Sequence, residues 1–230
     1  WFQYIIVHSA LPYFFFTFQS TYDIPLAKIT MLVTMNFGIQ LIVDLFSAKF
    51  VDRIGYRVSI LAAHICAAAG LILLTILPDL LSDSFIGILI SVMIYAVGGG
   101  LIEVLISPIM ESCPTDNKEQ AMSLLHSFYC WGHMGVVLIS TIFFKLAGIS
   151  NWKLLALIWA IVPILNTLVF ARTPIAPIIE EGETGLTMKQ LFSMKIFWIL
   201  FLMMLSAGAS EQAVSQWAST LAEKSFGINK

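Results

Sequence analysis

Seven stretches of the chain are almost free of charge and approach or exceed the roughly 20 helical residues that cross the hydrocarbon core of a bilayer. They run from Phe2 to Phe18, Ala27 to Val51, Val58 to Leu77, Phe85 to Ile106, Ala121 to Leu146, Leu154 to Ala171 and Ile196 to Thr220. Most of the connections are short and carry the residues expected where a chain leaves lipid: Asp23 with Pro25, then residues 52–57, 78–84, 114–119 and 148–153. The connection from Arg172 to Lys195 is longer. It holds Pro174, Pro177 and Gly182, an acidic cluster of Glu180, Glu181 and Glu183, and then Leu186, Leu191 and Phe192 alternating with polar residues, a pattern that fits a short interfacial helix.

The pattern predicts an all-α transmembrane protein in three parts: a six-helix bundle over residues 1–171, a cytoplasmic linker over 172–195, and a further membrane helix over 196–230. The chain starts at Trp1, already inside an apolar run, and stops soon after another, so it reads as a fragment of a longer chain. No charged segment or small-residue cleavage site precedes the first run, which therefore lacks the form of a removable signal peptide.

Composition removes the competing classes. Hydrophobic residues make up 59% of the 230 positions and charged residues 11%, with a mean hydropathy of +0.90, against roughly 25% charged in soluble domains. A water-soluble globule is excluded. The formal charge of -2 and the lack of any basic block leave nucleic-acid binding without an electrostatic basis, and the expected partner is the lipid bilayer. Cys66, Cys113 and Cys130 form no CxxC pair, so neither a disulfide framework nor a zinc knuckle is expected.

Lys and Arg in the loops set the expected orientation. One side collects Lys49, Arg53, Arg57, Lys118, Arg172, Lys189 and Lys195, and the other Lys28, Lys145 and Lys153. The richer side is taken as cytoplasmic, which puts the amino end inside a multi-pass protein of the cell membrane.

Between the second and third runs, residues 48–57 (AKFVDRIGYR) form a tight charged turn. Gly55 can take positive φ where the chain reverses, while Asp52 can cap the next helix and pair with Arg53 or Arg57. An ordinary cytoplasmic turn would use the same residue types. The stretch nevertheless resembles the signature of the major facilitator superfamily, a small residue followed by Asp-Arg-x-Gly-x-Arg: Asp52, Arg53, Gly55 and Arg57 match, and Ala48 stands where the family usually has Gly. The resemblance implies the amino-terminal half of that fold, a 3+3 inverted repeat, plus one helix of the second half, with the rest of that half missing from this sequence. It also implies that the loop latches one bundle against the other and so helps gate the transport cycle.

A second set of residues is similar to the fucose-permease-like sugar symporters of this superfamily. These are Gly98, Gly99, Gly100, Leu101, Ile102 and Glu103 with Ser107 and Pro108, then residues 122–135, then Gly208, Glu211 and Trp217. The fourth run has no Arg and the fifth no Gly-Pro pair, which leans away from drug/proton exchange.

Ionisable and polar residues at membrane depth are costly, about 3 kcal/mol for a charge, so each should face a cavity or a partner. Glu103, after the triple glycine, is either a proton-loading carboxylate, the role its match in the sugar symporters implies, or a structural hydrogen-bonding group. Asn36, Gln40 and Asp44 recur every four residues on one helical face. Asn36 and Gln40 either meet solute or join helices as paired amides. Asp44 belongs to the same stripe or, two turns from Asp52, to the gate. His126, Cys130 and His133 share a face that lacks a carboxylate, so polar cavity lining is expected and no metal. His64, among alanines, reads as a packed interhelical group. Glu211, Gln212 and Trp217 follow the flexible Ser206–Ala209 stretch and sit either at a midplane solute site or at the outer boundary, where Trp is common.

No GxSxG, HExxH or phosphate-binding glycine loop is present, so the chain is not expected to be an enzyme and no cofactor is implied. Two functions remain: a secondary transporter moving a small, neutral, sugar-like solute, with protons as the coupling partner, or a seven-helix sensor or receptor that does not transport.

Overall fold

The computed structural model of the protein describes Ile6, Phe14, residues 17–175 and residues 186–226, with the backbone alone at Leu26, Ala48, Lys49, Met188 and residues 212–226. Among these residues every regular element is a helix. A helical segment at residues 17–22 (α1) precedes α2 (Leu26–Ile54), α3 (Tyr56–Leu80), α4 (Ser84–Glu111), α5 (Lys118–Ala147) and α6 (Trp152–Arg172). A short helix, α7 (Met188–Ser193), leads into α8 (Lys195–Phe226).

Five of the described helices are long and apolar enough to cross a membrane, and each extends past the apolar run that foretells it because the flanking polar residues continue the helix into the boundary layer. The chain divides into two compact units, Trp1–Ile178 and Ile179–Lys230, and the division falls inside the expected linker. Pro177, Glu180, Glu181, Gly182 and Glu183 lie outside the described residues, as does most of the first apolar run.

Within the first unit α4 is the central helix, packing along α3 and across α2, while α3 also packs on α6. Small residues permit this. A Cβ placed on Gly98 would stand 2.6 Å from the carbonyl oxygen of Ala63 and 2.7 Å from the amide nitrogen of Ala67, so the two backbones are in direct contact there. Two short connections turn on glycines with positive φ, Gly55 at 92° and Gly148 at 81°. The fifth helix packs thinly, against α4, α6 and the 3-10 turn Ile149–Asn151; Trp159 Nε1 donates to Ser140 Oγ across α5 and α6 at 3.2 Å.

At the end of the bundle opposite Gly55, an aromatic cluster closes the core. The Trp152 ring lies 5.5 Å from Phe14 and 5.4 Å from Phe18. Tyr22 Oη donates to Asp79 Oδ1 at 2.7 Å, and Lys153 Nζ pairs with Asp79 Oδ2, so one carboxylate ties α1, α3 and α6 together. The second unit holds α7 and α8; Thr187 caps α7 in a reciprocal arrangement with Gln190, the short helix expected from Leu186, Leu191 and Phe192.

Candidate functional site

Two groups of the expected site residues occupy the first unit. The first is the turn between α2 and α3. Gly55 alone separates the two helices, with its N–H donating to Val51 O at 2.8 Å. Asp52 does not cap α3, whose N-cap residue is Gly55 with no side-chain cap; its Oδ1 accepts instead from Tyr56 Oη at 3.3 Å. The reversal is completed in a single residue, which leaves Asp52 on the last turn of α2, away from the free amides of α3. Arg57 reaches α6 rather than Asp52: Nη1 donates to Ala171 O at 3.3 Å and Nη2 to Thr173 O at 2.8 Å. A cation there meets carbonyls that the helix itself leaves unpaired, at the negative end of its dipole. Arg53 is exposed.

The second group lies where α2 crosses α4. A Cβ on Gly100 would fall 3.1 Å from Val43 Cβ and 3.2 Å from Gln40 Cα, so the helices touch at that level. They run in the same sense, since α3 reverses the chain between them. The next residues along each, Asp44 and Glu103, therefore come to one height. Oδ1 of Asp44 is buried and has no hydrogen-bond partner among the described residues.

Asn36 and Gln40 are buried on the same face of α2, with Gln40 Nε2 donating to Asn36 Oδ1 at 3.4 Å. Glu103 is exposed. The face of α4 that carries it is buried at Val92, Ala96 and Gly99 and emerges at its own level. The exposed apolar residues of α4, Ile86, Ile90 and Met93, lie roughly 80–140° away around the helix. Glu103 is thus off the apolar stripe of its helix.

The remaining site residues are more scattered. On α5, His126 and Cys130 are exposed and His133 is half-buried. Among the described residues no three His, Cys, Asp or Glu side chains gather as a metal-holding group. His64 is buried on α3 with its ring 5.1 Å from Phe170 of α6. Glu211 is exposed on α8 in the second unit, and the side chains of Gln212 and Trp217 lie outside the described residues.

The position beyond Asp44 escapes sequence reading. Ser47, one turn on, is buried with no partner for its hydroxyl among the described residues. The signal was present in the register, since Ser47 continues the i, i+4 stripe of Asn36, Gln40 and Asp44 by three residues.

The sequence model of the Major Facilitator Superfamily matches residues 2–230, nearly the whole chain. The chain belongs to the major facilitator superfamily. It is a multi-pass membrane protein and, as a member of this superfamily of transporters, a secondary transporter. No curated protein matches it in sequence. The family assignment gives the turn at Asp52–Arg57 its context: the residues that matched the signature of the superfamily sit at the helix reversal, and one of them, Arg57, holds the end of α6.

Proposed function

We propose that this major facilitator protein moves a small neutral organic solute, sugar-like in chemistry, across the cell membrane by alternating access, with uptake coupled to protons through Glu103. The observation that carries the reading is the level shared by Asp44 and Glu103 at the α2–α4 crossing. Two carboxylates brought to one height at membrane depth cost less with a proton between them than with both charged. Glu103 is the exposed member and exchanges that proton; Asp44, with one oxygen buried, serves the gate at its side. Protonation then removes repulsion between two helices, and that change biases which face of the transporter is open.

Substrate class rests on residue chemistry. The resemblance of residues 98–108 and 122–135 to the fucose-permease-like branch favours a sugar, as does the scarcity of cations at depth. Asn36, Gln40, His126 and His133 are the groups of the first unit assigned to the solute; Glu211, Gln212 and Trp217 are assigned to it on sequence pattern alone. Amides and imidazoles supply the donors and acceptors a polyol needs, and an indole gives a flat apolar face for a ring. The amino end is assigned to the cytoplasm from the distribution of Lys and Arg.

Purified protein in proteoliposomes tests this reading. With an inwardly directed proton gradient, a panel of radiolabelled neutral hexoses and pentoses should contain at least one that accumulates above its equilibrium level. Accumulation that is indifferent to the proton gradient would remove the coupling. Absence of any flux across the panel would favour a sensor built on the transporter fold.

A further inference from the structure

A cleft opens between α2 and α3, with α4 as its floor. It encloses about 270 Å³ and is lined by Val43, Phe46, Phe50, Val58, Val97 and Leu101 among others, all apolar apart from Ser47 and Ser59. The two serines differ. Ser59 Oγ donates to Gly55 O at 3.0 Å, and hydroxyls elsewhere in the bundle do likewise, as Ser91 of α4 does to Gly87 O at 2.8 Å and Thr141 of α5 to Val137 O at 2.8 Å. Ser47 Oγ has no partner among the described residues although the residue is only 4% exposed, and it lies in the wall of the cleft. A buried hydroxyl that forgoes the carbonyl of its own helix is costly unless something in the cleft accepts from it.

The position of Ser47 along α2 points to the chemistry of the missing acceptor. The apolar run of this helix closes at Val51, one turn beyond Ser47, so the hydroxyl lies in the last turns before the headgroup layer. Ile42, Val43 and Phe46 line the cleft on the hydrocarbon side of Ser47, and Phe50 and Ile54 on the headgroup side. Arg53, exposed, lies one turn beyond Phe50 on the same face. From the membrane centre outward the order is therefore apolar wall, hydroxyl donor, aromatic rim, cation.

We propose that the cleft is a site for one anionic phospholipid: an acyl chain along Ile42, Val43 and Phe46, an ester carbonyl accepting from Ser47 Oγ, and the phosphate against Arg53. Apolar burial holds the chain, the hydroxyl fixes its depth, and the guanidinium selects for the charge of the headgroup. The inference does not depend on the solute or on proton coupling.

The test uses the purified chain in nanodiscs with phosphatidylglycerol or phosphatidylcholine that carries a photoactivatable group in the same acyl chain, and adducts mapped by peptide mass spectrometry. Adducts on α2 between Ile42 and Ile54 should form with both lipids and favour phosphatidylglycerol. Arg53→Gln should lower that preference roughly fivefold, the worth of one basic side chain near an anionic headgroup. Ser47→Ala should lower both lipids together by roughly threefold, since the ester is common to them. Ala62→Phe, which fills the cleft from α3, should remove adducts there and leave those on the exposed Leu165 face of α6 in place; Arg53→Gln, at the surface, provides the answer if that variant does not fold. Equal labelling by the two lipids, or labelling indifferent to Arg53 and Ser47, would overturn the proposal. So would cross-links from the cleft to another segment of protein in place of lipid.

Discussion

The guanidinium of Arg57 holds the carbonyl oxygens of Thr173 at 2.8 Å and Ala171 at 3.3 Å, fastening the first turn of α3 to the last turn of α6. A residue of the family's signature turn thus bonds inside its own bundle, more than a hundred positions away in sequence. Its charge is committed to a helix terminus, while Asp52 and Arg53 remain at the surface.

Replacing Arg57 by Ala should lower the stability of the first unit by about 1 kcal/mol, the sum expected of exposed, charge-assisted bonds at a helix end. Arg57→Lys should recover less than half of it, because an ammonium cannot span two carbonyls as a guanidinium fork does. Equilibrium unfolding in mixed micelles reads both. An unchanged midpoint for the Ala variant would show that the contact contributes nothing.

Gly98 and Gly38 offer a matched pair. A methyl on Gly98 would meet the Ala63 and Ala67 backbone at under 3 Å, whereas nothing lies within 4 Å of the same atom on Gly38. Gly98→Ala should cost about 1–3 kcal/mol by forcing α3 and α4 apart. Gly38→Ala should be neutral or add up to about 1 kcal/mol through helix propensity. The same unfolding measurement compares them, and equal effects would contradict the close crossing.

Burial holds the Tyr22 phenol above the ordinary tyrosine range, helped by its hydrogen bond to Asp79 and the charge of that carboxylate. The folded state thus favours the protonated phenol. The stability it contributes is complete below the unfolded tyrosine value of about 10 and is lost as pH climbs from there toward the folded value. Wild-type protein should lose stability across that alkaline window, and Tyr22→Phe should be less stable at pH 8 but flatter above pH 10. Parallel curves for the two proteins would remove Tyr22 from the tie between α1 and α3.

The helices were legible because a membrane span is written locally, as some twenty consecutive apolar residues with polar flanks. Gly55 and its neighbours were legible for the same reason: a reversal between two long helices needs its special residues in one short stretch. Partners across the bundle were not. The carbonyls taken by Arg57 belong to α6, and the level shared by Asp44 and Glu103 depends on where α2 crosses α4, which the triple glycine signals but does not locate. Asp44 could be read from spacing only against its own helix, with Asn36 and Gln40 or with Asp52. The stripe of Asn36 and Gln40 left two arrangements open, and their burial and mutual bond came only with the coordinates.

The level shared by Asp44 and Glu103 is the centre of the account, and transport by Glu103→Gln in proteoliposomes tests it most directly. The account predicts that accumulation driven by a proton gradient falls to the level of protein-free vesicles, while exchange of labelled for unlabelled solute, which needs no net proton movement, persists in part. Asp44→Asn, which leaves the Glu103 carboxyl in place, should keep accumulation. Undiminished gradient-driven accumulation by Glu103→Gln would contradict the account.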